Sequence, residues 1–123
     1  MNALTRHKVL FVDDEQHWRD TASTSLGEAG FDVLTAADGT EAMRKAAAAP
    51  LALMIVDEDL AGESGTMLAR FLRHNHPDVP TILHTSTEHD ADGTLDLMSQ
   101  AADQCLPKGS IEELIVNVGC LVR

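Results

Sequence analysis

Short apolar runs that stop abruptly at acidic or hydroxyl residues alternate along this chain with stretches whose apolar residues recur three and four apart. Lys8-Val-Leu-Phe-Val12 is the first such run and ends at Asp13-Asp14-Glu15, as a strand buried on both faces does. Trp18, Ala22, Leu26 and Ala29 then repeat at helical spacing, with Gly30 placed as a C-terminal stop. Phe31 to Ala36 predicts a second strand. Asp38-Gly-Thr-Glu41 has the form of a capping box opening an Ala-rich helix that Pro50 terminates. Leu51 to Val56 is the most apolar run and also ends in acid, Asp57-Glu58-Asp59, followed by a loop with Gly62 and Gly65 and a helix carrying Met67, Leu68, Phe71 and Leu72. Val79 to His84 is a fourth strand ending in Thr85-Ser86-Thr87, and a polar stretch leads to a helix carrying Leu95, Met98 and Ala102, weakened by Gly93. Gln104 to Pro107 is a fifth strand that its proline confines to a sheet edge, and Ser110-x-x-Glu113 caps a last helix with Ile111, Leu114, Ile115, Val118 and Val122 inward.

Five strand-helix units predict an α/β domain with a parallel sheet covered on both faces, because parallel neighbours need crossover connections and helices supply them. At 123 residues the chain suits one domain, residues 1–123, with a core that needs no disulfide or metal staple. Nine Lys and Arg against twenty Asp and Glu leave a net charge of −11, which repels nucleic-acid phosphates and anionic lipid alike. No direct nucleic-acid or membrane partner is expected. The apolar runs, about six residues at most, fall far short of the roughly 20 that a membrane span needs. Met1 to His7 lacks the apolar stretch of a secretion signal. Cys105 and Cys120 have neither a metal-ligand nor a redox-pair spacing and read as small hydrophobes, consistent with a reducing, cytoplasmic setting. The six histidines show no zinc-ligand spacing.

In such sheets ligands bind beyond the carboxyl ends of the strands. Those ends carry Asp13-Asp14, Asp57, Thr85-Ser86 and, just after Pro107, Lys108. Carboxylates brought together there repel by roughly several kcal/mol per pair at an effective dielectric near 20, so a positive charge must compensate them. Mg2+ suits that place because it prefers carboxylate and carbonyl oxygens and bridges to phosphate. Lys108 supplies a fixed cation, and the Thr85 hydroxyl with the Ser86 backbone amide can hold an anionic oxygen.

Val-Asp13-Asp14-Glu15, Gly30-Phe-Asp-Val-Leu-Thr-Ala-Ala-Asp-Gly, Ile-Val-Asp57, Pro80-Thr-Ile-Leu-His-Thr85-Ser86 and Leu-Pro-Lys108 together resemble the receiver domain of two-component response regulators, in order and spacing, over nearly the whole chain. The resemblance implies a flavodoxin-like (βα)5 doubly wound sheet of strand order 2-1-3-4-5. It implies that Asp57 is the phosphoacceptor, that Asp14 binds Mg2+ directly and Asp13 through water, and that the Asp59 backbone carbonyl completes the protein ligands with Asp57 itself. Thr85 would take a phosphoryl oxygen and Lys108 would pair with Asp57 and then with the phosphoryl group. The donor would be a phosphohistidine on a sensor histidine kinase or histidine phosphotransfer protein. The product would act as a phosphorelay switch rather than an enzyme, its readout a rearrangement of the surface around the fourth and fifth strands, addressed to an unidentified output domain or protein.

The chain also departs from that family. Gly109 stands where proline usually follows the lysine, Cys105 where an aromatic is usual, and Ala61 where proline is common. These departures motivate an alternative, a receiver-like interaction module not regulated by phosphorylation. Asp57-x-Asp59 also matches the pattern of a haloacid dehalogenase-type phosphatase, although the order of the acidic motifs opposes that reading. Glu58 and Asp59 read as solvated loop acids rather than side-chain ligands, and Trp18 as core packing near the site rim.

Overall fold

The structure, a computed structural model, describes residues 7–85, 102–107 and 111–121. The expected helix on Leu95 and Met98, and the Ser110 cap of the last helix, lie outside them. The elements in chain order are β1 (Lys8–Val12), α1 (Gln16–Glu28), β2 (Asp32–Ala36), α2 (Gly39–Ala48), β3 (Leu53–Asp57), β4 (Asp59–Leu60), β5 (Glu63–Ser64), α3 (Gly65–Asn75), β6 (Thr81–Thr85), β7 (Gln104–Pro107) and α4 (Ile111–Leu121). The five long strands form one parallel sheet ordered β2-β1-β3-β6-β7, the predicted 2-1-3-4-5 order of a doubly wound, flavodoxin-like fold.

Successive strand residues point to opposite faces, so each apolar run feeds two cores. Leu10, Val12, Met54, Val56 and Leu83 pack on one side with Ala42 and Ala46 of α2 and Leu68, Ala69 and Leu72 of α3. Val9, Phe11, Leu53, Ile55 and Ile82 pack on the other with Ala22 and Leu26 of α1 and Leu114 and Val118 of α4. This is why β3 and β6 are buried along their entire length while Asp32 to Thr35 of β2 and Gln104 to Leu106 of β7, at the edges, are half-buried.

The local stop and start signals act as the chain pattern predicts. Gly30 takes φ of 103° directly after α1, a conformation that a Cβ disfavours. Asp38 accepts from the Glu41 amide at 2.8 Å, and Glu41 reaches back to the Ala37 amide at 2.8 Å, one residue beyond the usual partner in a capping box.

Three details correct or add to the sequence reading. The loop after Asp57 contains a two-residue antiparallel hairpin, with Asp59 opposite Ser64 and Leu60 opposite Glu63, turned by Gly62 at φ of 72°. Of the apolar residues expected on α3, Leu68 and Leu72 are buried, whereas Met67 and Phe71 are 61% and 52% exposed, because Ala69 takes the inward position between them. Ala102, expected on a helix, is buried in a bend that packs on the α2–α3 side.

Candidate functional site

The parallel register brings the strand ends to one edge. Val12 lies beside Val56, and Asp57 lies beside His84, so the residues just after β1 and at the ends of β3 and β6 come together. Asp13, Asp14 and Asp57 each place a carboxylate oxygen within 4.8 Å of the others. Asp13 and Asp57 are buried, and Asp14 is partly exposed. Three carboxylates crowded together repel one another and favour a bound cation, and an all-oxygen, carboxylate donor set fits a hard divalent ion such as Mg2+.

Each carboxylate is held by backbone groups. Asp13 Oδ1 accepts from the Glu15 amide at 2.9 Å, and the Asp13 amide donates to the Ala36 carbonyl at 3.0 Å. The residue at the start of α1 is Glu15, whose side chain makes no cap bond. Asp14 Oδ2 accepts from the Ala61 amide at 3.1 Å, tying the first strand's loop to the tip of the β4–β5 hairpin. Asp57 Oδ1 accepts from the Asp59 amide at 3.2 Å. Arg19 brings a guanidinium to the same edge, donating to the Asp13 carbonyl at 2.7 Å.

The backbone behind Asp57 is fixed on both sides. The Glu58 amide donates to the His84 carbonyl at 2.9 Å, and the Glu58 carbonyl accepts from the Gly65 amide at 3.0 Å. A Cβ on Gly65 would lie 1.8 Å from the Asp57 carbonyl oxygen, so only glycine lets the start of α3 approach the acceptor strand this closely. On the next strand Thr85 is nearly buried, and its hydroxyl donates to Glu58 Oε1 at 3.3 Å. His84 is buried on the α1 side, edge-on to Trp18 at 5.3 Å between ring centroids and to Phe11 at 6.1 Å. Trp18 therefore packs in the core beside the site, as its helical position predicts.

Asp13, Asp14, Asp57 and Thr85 thus meet at one edge, and Asp59 comes next in β4 with its side chain exposed. Ser86 and Lys108 lie outside the described residues. The sequence reading missed Glu58, which is partly buried and turned toward Thr85 rather than solvated, and Glu63, whose Oε1 accepts from the Gly39 amide at 3.0 Å and so caps α2 from the hairpin. A glutamate directly after the last strand residue was a visible signal for the first. The second has no local signal, since Glu63 and Gly39 are joined only by the fold.

A family model described as the response regulator receiver domain matches residues 9–118. Among curated proteins the chain is 30% identical over 116 residues to the alkaline phosphatase synthesis transcriptional regulatory protein PhoP of Bacillus subtilis, covering 94% of this chain and 48% of that protein. It is 30% identical over 115 residues to the probable transcriptional regulatory protein TcrX of Mycobacterium tuberculosis, covering 94% and 49%. The chain spans about half the length of the curated relatives it matches. Among solved structures it is similar to the response regulator TrrA from Thermotoga maritima in complex with Mg2+ and beryllium fluoride, with a TM-score of 0.83, 33% identity, and 94% and 98% of the two chains covered. A structure of the histidine kinase ThkA in complex with TrrA gives a TM-score of 0.83, 32% identity, and coverage of 95% and 99%.

Proposed function

Because the chain belongs to the receiver-domain family of response regulators, we propose that it is a phosphorylation switch in which Asp57 accepts a phosphoryl group from a phosphohistidine on a sensor histidine kinase or histidine phosphotransfer protein. The observation that carries this reading is the meeting of Asp13, Asp14 and Asp57 within 4.8 Å at the end of the central strands, with the Thr85 hydroxyl on the neighbouring strand. Membership in the family also removes the haloacid dehalogenase reading.

An Asp57 oxygen attacks phosphorus, the P–N bond to the donor imidazole breaks, and the nitrogen keeps the electron pair and takes a proton from solvent. No general base is needed, since a carboxylate is ionised at neutral pH. Asp13, Asp14, Asp57 and the Asp59 carbonyl would hold Mg2+, which when bound supplies neutralising charge to the phosphoryl oxygens. Thr85 donates its hydroxyl to one phosphoryl oxygen, the Ser86 amide supports another, and Lys108 transfers its pairing from Asp57 to the phosphoryl group. Water attack at phosphorus later breaks the O–P bond, releasing inorganic phosphate and restoring the carboxylate. The domain is a phosphoacceptor rather than a conventional enzyme. Movement of Thr85 alters the surface around β6 and β7, and a kinase and an output domain or protein meet the molecule in the cytoplasm.

Intact mass after incubation with Mg2+ and phosphoramidate tests this reading. A gain of one phosphoryl group is expected, lost in Asp57→Asn. Undiminished labelling of Asp57→Asn, mapped to another residue, overturns the assignment, and an unlabelled wild type favours the unregulated interaction module.

A further inference from the structure

We propose that Glu58 is a positioning residue that holds the Thr85 hydroxyl in the unphosphorylated protein and sets how readily that hydroxyl passes to a phosphoryl oxygen on Asp57; the proposal rests on the phosphoacceptor reading above. A threonine hydroxyl has a single proton and can donate one hydrogen bond at a time. In the structure it donates to Glu58 Oε1 at 3.3 Å. Phosphorylation requires the same proton at a different acceptor, so the two bonds exclude each other.

Glu58 is well placed to compete. Its amide is bonded to the His84 carbonyl and its own carbonyl to the Gly65 amide, so the backbone that projects its carboxylate is clamped from two elements. Thr85 comes directly after His84 in β6, one step along the strand that this clamp engages. The contact is long for an O–H···O bond, whose usual distance is about 2.7 Å, so it is weak enough for a phosphoryl oxygen to displace. Glu58 also carries a negative charge that opposes an incoming phosphoryl anion whatever Thr85 does. Only the hydrogen-bonded part of its effect depends on the Thr85 hydroxyl, and a double-mutant cycle separates the two.

The test uses Mg2+ with beryllium fluoride, bound to TrrA in the similar structure, as the phosphoryl mimic. Calorimetric affinities are compared for wild type, Glu58→Met, Glu58→Gln, Thr85→Val and the Glu58→Met/Thr85→Val pair. Glu58→Met is expected to bind the mimic roughly three- to tenfold more tightly than wild type, the range for one net hydrogen bond. The gain should shrink in the Thr85→Val background. Glu58→Gln, which keeps an acceptor oxygen and loses the charge, should fall between. An undiminished gain in Thr85→Val, or no gain in Glu58→Met, overturns the proposal. Three-bond couplings to the Thr85 methyl in the unliganded protein give a readout that needs no phosphoryl mimic. One χ1 rotamer is expected in wild type and Glu58→Gln, with its population reduced in Glu58→Met; a wild-type rotamer already averaged, or a Glu58→Met population equal to the wild type's, overturns the hold. A wild type that binds no beryllium fluoride overturns the phosphoacceptor reading and the transfer with it, and the rotamer result then decides the Glu58–Thr85 contact by itself.

Discussion

At the end of the sheet where the strands begin, Lys8 Nζ and Asp32 Oδ2 meet at 2.9 Å, with 36% and 49% of the two side chains exposed. At the end where the strands finish, Asp13 and Asp57 are buried beside Asp14, with Glu58 and Thr85 close by. The first arrangement pairs opposite charges where water already screens them, and such pairs contribute about 0–1 kcal/mol. The second gathers like charges where burial sharpens their repulsion. The same residue type, aspartate, serves the fold at one end and is tolerated against it at the other. Mutual repulsion among the acids at the carboxyl end is a cost to the fold that a bound cation would offset.

That contrast breaks most severely through the backbone on which the carboxyl end is built. Gly65→Ala forces a methyl group into the Asp57 carbonyl, and the required shift of α3 or β3 should cost about 3 kcal/mol or more. Chemical denaturation should register this loss together with weakened Mg2+ binding, and an alanine variant with wild-type stability would contradict the close approach. Asp57→Asn should act in the opposite direction. It keeps an acceptor for the Asp59 amide and relieves the repulsion from Asp13 and Asp14, but gives up the pairing with Lys108 that the proposed function assigns to Asp57, so the metal-free protein should gain about 1 kcal/mol at most. Mg2+ is expected to raise the wild type's melting temperature, and to raise that of Asp57→Asn much less. A destabilised Asp57→Asn would mean that the carboxylates are already compensated within the fold.

At the opposite end Lys8→Met should change stability by less than about 1 kcal/mol, an effect that shrinks further with added salt. The smallest effect concerns Glu41, whose pKa is lowered from 4.5 by its hydrogen bond to the Ala37 amide and then by Lys45 at 3.2 Å. A carboxylate with a depressed folded pKa contributes stability that is fully present above its unfolded value and is lost as pH falls through the folded value. The difference between wild type and Glu41→Gln should therefore be flat near neutral pH and close below about pH 4. Because the side chain is one-third exposed, its size should be about 0.5 kcal/mol.

The acidic edge was legible in the sequence because Asp13 and Asp57 end apolar runs, and parallel topology sends all such ends to the same side. Both cores were legible for the same reason, through the runs Val9 to Val12 and Leu53 to Val56 that are apolar on both faces. The path of the chain beyond a strand end was hidden. The turn after Asp57 decides where Glu58 points, and the β4–β5 hairpin is too short to leave a period of its own. Gly65 was visible as a loop glycine, but its cause is the approach of a carbonyl from another element and not a turn. On α3, Met67 with Phe71 and Leu68 with Leu72 share one spacing, so the pattern alone left open which stripe is buried, and packing on α2 and the sheet chose Leu68 and Leu72.

The strand order has a consequence for the chain as it leaves the ribosome. β1 is made first yet becomes an interior strand, receiving β2 on one side and β3 on the other. β6 can add only to β3, and β7 only to β6, so the sheet grows outward along one edge in the order of synthesis. The meeting of Asp13, Asp14 and Asp57 needs only the β1–β3 pair, whereas Thr85 joins them through β6. A divalent cation that binds the three acids would favour the β1–β3 pairing over the open chain, so refolding with Mg2+ should give the higher yield of folded protein.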